Sequence, residues 1–327
     1  MYFVFLTDLD RHASSLVLSG WAPRTRTGYN SAVKRFISFT ATYGLQPLPL
    51  SESLLLRYVA HLHRENLAPA TVKNYLSALR AWVISMGLEE PHIWTPRVLL
   101  ACRAVARYHE PPRQVLPITY DVLSLMFRSL SPSRDHLLVA AALSLQYFAC
   151  LRAAELCSNL SLSLVPTRSD VSFYRSGSSI TMLYKCHSSK TASHGFEVHV
   201  GCSGGPICAP CIMHLFLSAY PIEPASPLFR FSSGLYLTYP LYNSIIKRLI
   251  QLAGLNPSSY SSHSVRAGAA TQAARSGLDP DSIKRLGRWR SQAYQAYLRP
   301  PPEAYAAFAP TLAQHIHPTT SHHLARP

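Results

Sequence analysis

The stretch His109 to Pro117, HEPPRQVLP, carries three prolines and no apolar periodicity. Proline fixes its own φ and pushes the residue before it out of the helical region, so no helix runs through this stretch. It reads as a semi-rigid linker over residues 109–117. The 327 residues are enough for a body with its own core on either side.

The sequence texture differs across the linker. Residues 1–20 form a loosely patterned lead-in, and residues 21–108 read as an all-α bundle. A helix from about Thr25 places Tyr29, Val33, Phe36 and Ile37 on one face, until Gly44 and the Pro47/Pro49 pair stop it. Ser51 suits the N-cap of a second helix with Leu54, Leu55, Tyr58, Val59 and Leu62 inward. Pro69 opens a third, with Val72, Tyr75, Leu76, Leu79, Trp82 and Val83, and a fourth covers Pro96 to about Tyr108. Beyond the linker, helices at about Tyr120–Leu130 and Arg134–Leu151 lead to two strands, Ser179–Tyr184 and Phe196–Val200. Helices resume from Pro210, Tyr239 and Val265, with a last one near Pro302–Ala313 and a His/Pro tail over 313–327. The expected fold is mostly α with a small antiparallel sheet, in two domains, the second being α+β and spanning 118–312.

Charge points to a partner class. Lys and Arg outnumber Asp and Glu by 31 to 16, a net +15 on a chain with only 14% charged residues. Such an imbalance suits a polyanion, whose neutralised phosphates release counterions. A basic surface with no partner, or one that meets anionic membranes, has the same composition. The start, MYFVFLTDLDRH, does not read as a signal peptide, and the apolar run Leu137–Leu151 is too short to span a bilayer and is interrupted by Gln146. Seven scattered cysteines suggest reduced thiols in an intracellular compartment. Cys202, Cys208 and Cys211 with His214 have zinc-ligating chemistry, but their spacing fits no common finger and reads first as a loop entering a helix.

Four short segments of the second domain carry chemistry. Taken singly, each has a plain structural reading. In CLRAAEL, Arg152 ends an apolar helix and Glu155 lies three residues on, as in a buried ion pair. Lys190 sits in the turn-rich HSSKTASHG between the two strands, as a solvated lysine would. In His263-Ser-Val-Arg266 the three-residue spacing lets imidazole and guanidinium share a helix face. LGRWRSQAYQAYLR offers Trp289, Tyr294 and Tyr297, and aromatics at helical spacing are often core.

In this order and spacing, with a tyrosine eight residues after Gly-Arg-Trp, the four segments resemble the tyrosine recombinase/phage integrase family. They are closest to the DIRS-like and crypton mobile-element recombinases of eukaryotes, whose ends commonly read GRWxSxAYxxYIR. The resemblance covers about residues 21–312. It implies that residues 21–108 are a core-binding, SAM-like, DNA-binding domain, with Lys34, Arg35, Lys73, Arg80 and Arg103 available to phosphates. It also implies a nuclear enzyme of double-stranded DNA, a homotetramer at the synapse and a monomer or dimer otherwise.

The resemblance further implies a division of labour. Arg152 and Arg266 neutralise the scissile phosphate, for which a guanidinium fork is well shaped. Tyr297 is the nucleophile of a 3′-phosphotyrosyl intermediate, His263 handles its proton, and Lys190 protonates the departing 5′ oxygen. Trp289 donates its indole N–H to a phosphate oxygen, and Glu155 orients the arginine segment or the histidine. Neither metal nor cofactor is expected, since the arginines supply the positive charge. Lys185 stays open as an alternative acid and Tyr294 as an alternative nucleophile. A DNA-binding protein that has lost catalysis and a type IB topoisomerase-like enzyme are the other readings of the same residues.

Overall fold

The computed structural model describes residues 8–110, 115–157, 165–177, 179–187 and 195–298. They belong to two compact units, residues 1–112 and 113–327.

The first unit is all helical: α1 (Asp8–Ser19), α2 (Pro23–Thr42), α3 (Glu52–Arg64), α4 (Pro69–Ser85) and α5 (Pro96–Tyr108). Prolines in the first turn open α2, α4 and α5, where the missing N–H costs nothing. Ser51 and Thr95 cap α3 and α5 by accepting from the Leu54 and Val98 amides. All five apolar residues expected inside α3 are buried, and the rings of Phe36 and Tyr58 meet edge-on at 5.0 Å in the core. Two expectations are corrected. The lead-in contains a helix, α1, which buries none of its residues. The inner face of α2 is Ala32, Phe36, Phe39 and Thr40, while Ile37 is exposed. The small Ala32 and Thr40 admit close packing that a reading of large apolar residues alone does not find.

The second unit surrounds α7 (Arg134–Phe148), in which every residue from Leu138 to Tyr147 is buried. Around it lie α6 (Tyr120–Arg128), α8 (Ala209–Ala219), α9 (Tyr239–Leu252), α10 (Ser262–Arg275) and α11 (Pro280–Leu286). Three antiparallel strands, β1 (Val171–Ser176), β2 (Ser179–Cys186) and β3 (Phe196–Gly201), form a sheet in that order. The edge strand β1 turns only Val171 and Phe173 toward the core, an alternation too short to be read by pattern. Gln146, the polar interruption in the apolar run, is a buried junction. Its Nε2 donates to Leu151 O (3.3 Å) and Ser262 O (3.0 Å), and its Oε1 accepts from the Tyr242 hydroxyl (2.7 Å). One side chain thus ties the end of α7 to α9 and to the start of α10. The helix expected near 302–313 lies outside the described residues.

α10 is built from small residues because the chain lies directly against it. A Cβ on Gly268 would stand 1.7 Å from the Ile118 carbonyl oxygen, and the Ile118 amide donates to Ser264 O at 2.9 Å. Gly268→Ala must therefore displace backbone rather than a flexible side chain. Urea unfolding should show a loss of about 3 kcal/mol, at the upper end of overpacking costs; an unchanged midpoint would mean that this approach is not tight.

Candidate active site

The carboxyl end of α7 turns at Cys150 (φ 48), and Arg152 then heads a short 3-10 turn, Ala153–Glu155. Glu155 is buried and doubly engaged with Arg152: its Oε2 accepts the Arg152 backbone amide and its Oε1 the guanidinium, both at 2.8 Å. The ion pair expected of Arg152 and Glu155 therefore exists. The Arg152 side chain still keeps 21% of its surface exposed. The Tyr184 hydroxyl on β2 donates to Glu155 O at 2.7 Å and holds this turn against the sheet.

α10 carries the histidine and the second arginine. Ser261 caps it and Ser262 begins it, so His263 and Arg266 both lie in its opening turns. Arg266 is 1% exposed. Its Nη1 donates to Cys150 O at 2.6 Å, its Nη2 donates to Gly287 O, and its guanidinium carbon lies 4.4 Å from the centre of the Trp289 ring. His263 lies outward of it, with Nε2 2.5 Å from the Tyr297 hydroxyl and the two rings 5.3 Å apart. Although His263 is exposed as a residue, its imidazole is held below the ordinary histidine range, first by desolvation and then by the Arg266 and Arg152 charges. It is therefore neutral at neutral pH. In the Nδ1-protonated tautomer, Nε2 accepts the phenolic proton.

Tyr297 ends a short 3-10 segment, Gln292–Tyr297, rather than an α-helix. It is half-buried, its backbone carbonyl accepts from the Thr271 hydroxyl at 2.7 Å, and its ring lies 5.8 Å from that of Trp289. Tyr294 is 3% exposed, with its ring 5.9 Å from that of Trp289. Trp289 is itself buried, and a Cβ on Gly287 would fall 1.8 Å from its ring, so only glycine fits there.

The structure therefore brings Arg152, Glu155, His263, Arg266, Trp289 and Tyr297 together from segments far apart in sequence. Lys190 lies outside the described residues. Lys185 is on β2, with its ammonium 3.3 Å from Glu197 Oε1 on β3.

The family model for the phage integrase N-terminal SAM-like domain matches residues 9–84. Among solved structures, the chain is similar to the XerH site-specific recombinase bound to a palindromic difH substrate. The two share 15% identity at a TM-score of 0.62, over 88% of this chain and 80% of that one. It is similar to a lambda integrase dimer bound to a COC′ core site, with 19% identity, a TM-score of 0.57 and coverage of 89% and 76%. It is also similar to the Tn1549 transposon integrase in complex with circular intermediate DNA, with 13% identity, a TM-score of 0.56 and coverage of 90% and 98%. The chain has the tyrosine recombinase fold. A search of curated proteins gave no match.

Within this tyrosine recombinase fold, sequence reasoning missed Arg288. It adopts φ 55, and its guanidinium donates to the Ala149, Cys150 and Leu286 carbonyls at 3.1–3.2 Å. It also stacks 4.3 Å over the Phe196 ring and comes within 3.7 Å of Glu155 Oε2. It locks the Gly-Arg-Trp turn to the end of α7 and to β3. Only its place between Gly287 and Trp289 marks it in the sequence. In the helical unit, Lys34 and Lys73 are exposed. Arg35 is paired with Glu65 and Arg80 with Glu90, while Arg103 is exposed on α5. No helix among the described residues is long and apolar enough to cross a membrane.

Glu155 is the carboxylate that faces Arg152 and Arg288, and it is 2% exposed at the side chain. Removing it leaves two largely buried guanidinium groups without their counter-charge. Glu155→Ala should cost about 3–5 kcal/mol in urea unfolding, as breaking a buried pair does. A cost near that of an exposed pair, below about 1 kcal/mol, would show that water already shields the cluster.

Proposed function

We propose that the chain is a DNA strand-exchange enzyme that cuts and rejoins double-stranded DNA through a 3′-phosphotyrosyl intermediate on Tyr297. The observation that carries this reading is the Tyr297 hydroxyl 2.5 Å from an imidazole that burial and two arginines keep neutral. A phenol with an ordinary pKa near 10 is a poor nucleophile until a base takes its proton and positive charge favours its oxyanion. Both are at hand. Three guanidinium groups, Arg152, Arg266 and Arg288, face one carboxylate, Glu155, so the cluster has a surplus of positive charge. A phosphodiester supplies the missing anion. Arg152 is the partly exposed fork that meets it, and Arg266 acts from beneath, through the field it adds and by setting Trp289.

The chemistry balances without an added reagent. The Tyr297 oxygen attacks phosphorus as His263 takes the phenolic proton. The bond to the 5′ oxygen breaks, and Lys190, assigned from sequence alone, protonates that oxygen. The tyrosyl ester conserves the phosphate bond energy, and attack by a 5′ hydroxyl reverses every step. The similar XerH, lambda and Tn1549 proteins are bound to a difH substrate, a core site and circular intermediate DNA, which supports DNA as the substrate. Lys34, Arg35, Lys73, Arg80 and Arg103 serve the phosphate backbone, which fixes register without reading bases. Exchange between two sites needs two cleavages at each, hence four protomers at the synapse. The GRWRSQAYQAYLR ending supports a mobile-element origin and work in the nucleus.

A pool of nicked duplexes of randomised sequence, in which cleavage releases a short fragment and prevents resealing, tests this directly. Wild type and Tyr294→Phe should form covalent protein–DNA adducts, and Tyr297→Phe should form none. The reverse pattern would move the nucleophile, and no adduct from any form would leave a protein that only binds DNA. The His263 environment adds a pH test. Its lowered pKa keeps the basic form present below about 6.5, so the adduct rate should hold to more acid pH than an ordinary histidine allows and then fall as the imidazole protonates. His263→Gln should slow the rate roughly 10²-fold or more and remove that limb; an acid limb unchanged in the variant would assign it to another group.

A further inference from the structure

Apart from the arginine cluster, the second unit holds a second convergence of reactive side chains. Cys202, Cys208 and Cys211 are free thiols whose sulfurs all lie within 4.8 Å of one another, the one such group of three metal-ligating side chains found among the described residues. The Cys202 sulfur is 3.3 Å from that of Cys208 and 3.6 Å from that of Cys211, and the last two are 2.7 Å apart. They come from two elements. Cys202 directly follows β3, where its amide extends the ladder by donating to Ile180 O at 3.1 Å. Cys208 caps α8 and Cys211 lies three residues on, so both sulfurs share the opening turn. The loop between is folded on itself, with the Ser203 hydroxyl donating to Ile207 O at 2.9 Å and Gly204 at φ 68.

We propose that these three cysteines bind one thiophilic divalent cation of the zinc class, as a structural clasp between the sheet and α8. Tetrahedral zinc holds sulfur at about 2.3 Å, which sets its ligands ~3.8 Å apart, and the two distances from Cys202 are already close to that. The third, 2.7 Å between Cys208 and Cys211, has to widen for an ion to enter. Cys208 is buried, whereas Cys202 and Cys211 are exposed, so the fourth position faces water. His214, the other residue with ligand chemistry in this stretch, is not part of the group: its ring packs edge-on against Phe173 at 5.4 Å. A disulfide would join two of the sulfurs and leave the convergence of the third unused, whereas a cation uses all three. The face of α8 that buries Met213, Phe216 and Leu217 belongs to the core shared with α7, so the clasp fixes the end of β3 to the scaffold that carries Arg152.

The test uses the full chain purified under reducing conditions and titrated with cobalt(II), whose thiolate charge-transfer absorption reports sulfur ligation. One equivalent should saturate the absorption, zinc should displace it, and Cys208→Ser or Cys211→Ser should abolish it while His214→Ala keeps it. In the wild-type chain, where folding is not in question, zinc should slow alkylation of Cys202 and Cys211 at least tenfold and leave Cys102 unaffected. No cobalt absorption from the reduced chain, or alkylation unchanged by zinc, would overturn the proposal. So would a Cys208–Cys211 disulfide that forms in air and persists with zinc present. None of these readouts depends on DNA cleavage.

Discussion

Four ionised groups meet behind the turn at Cys150: the guanidinium groups of Arg152, Arg266 and Arg288 and the carboxylate of Glu155. Like charges so close in a dry setting repel, and desolvation holds Arg266 and Arg288 below the usual arginine value. What keeps them there is backbone. The carbonyls of Ala149, Cys150 and Leu286 take four hydrogen bonds from Arg288, and those of Cys150 and Gly287 take two from Arg266, so helix ends and turns act as the counter-dipoles. Those carbonyls engage the Nη groups of both arginines without cancelling the charge. The cluster stays positive at its exposed edge, Arg152.

The same bonds explain why the tyrosine is where it is. Arg266 and Arg288 reach across from α10 and from the Gly-Arg-Trp turn to one short stretch at the end of α7. Trp289 is trapped between the Arg266 guanidinium and the two tyrosine rings, and Thr271 holds the Tyr297 carbonyl. Tyr297 therefore reaches His263 because its whole segment is seated on α10. Tyr294, three residues earlier, is spent on packing. The conformational preferences of the segment itself would not place it: the residues form a 3-10 turn, which has little stability of its own.

What could be read from the sequence follows the same division. Strong periodicity with punctuation was legible: Ser51 and the five inward residues of α3, Pro69 at the start of α4, and Pro96 to Tyr108 for α5. The segments that converge here were legible only together, by their order and by what that order resembles; taken singly each read as ordinary structure. The rest depends on tertiary geometry. Arg288 matters because its φ of 55 turns it toward the end of α7, and no pattern announces that angle. The α2 face shifted because Ala32 and Thr40 are small, not because they are apolar. β1, with mostly exposed residues at the sheet edge, and α1, with none buried, lack the signature that burial writes into sequence. The three cysteines fit no common spacing because they are brought together by a strand end and a helix start.

Strand exchange by the proposed route requires one phenolic oxygen to become bonded to phosphorus. The covalent protein–DNA complex, digested with nuclease and protease and sequenced by tandem mass spectrometry, identifies the residue that carries the nucleotide. A nucleotide 3′-phosphate ester on Tyr297 is expected in the peptide beginning at Ser291, with Tyr294 unmodified. A nucleotide on Tyr294, or on any residue outside this segment, would contradict it.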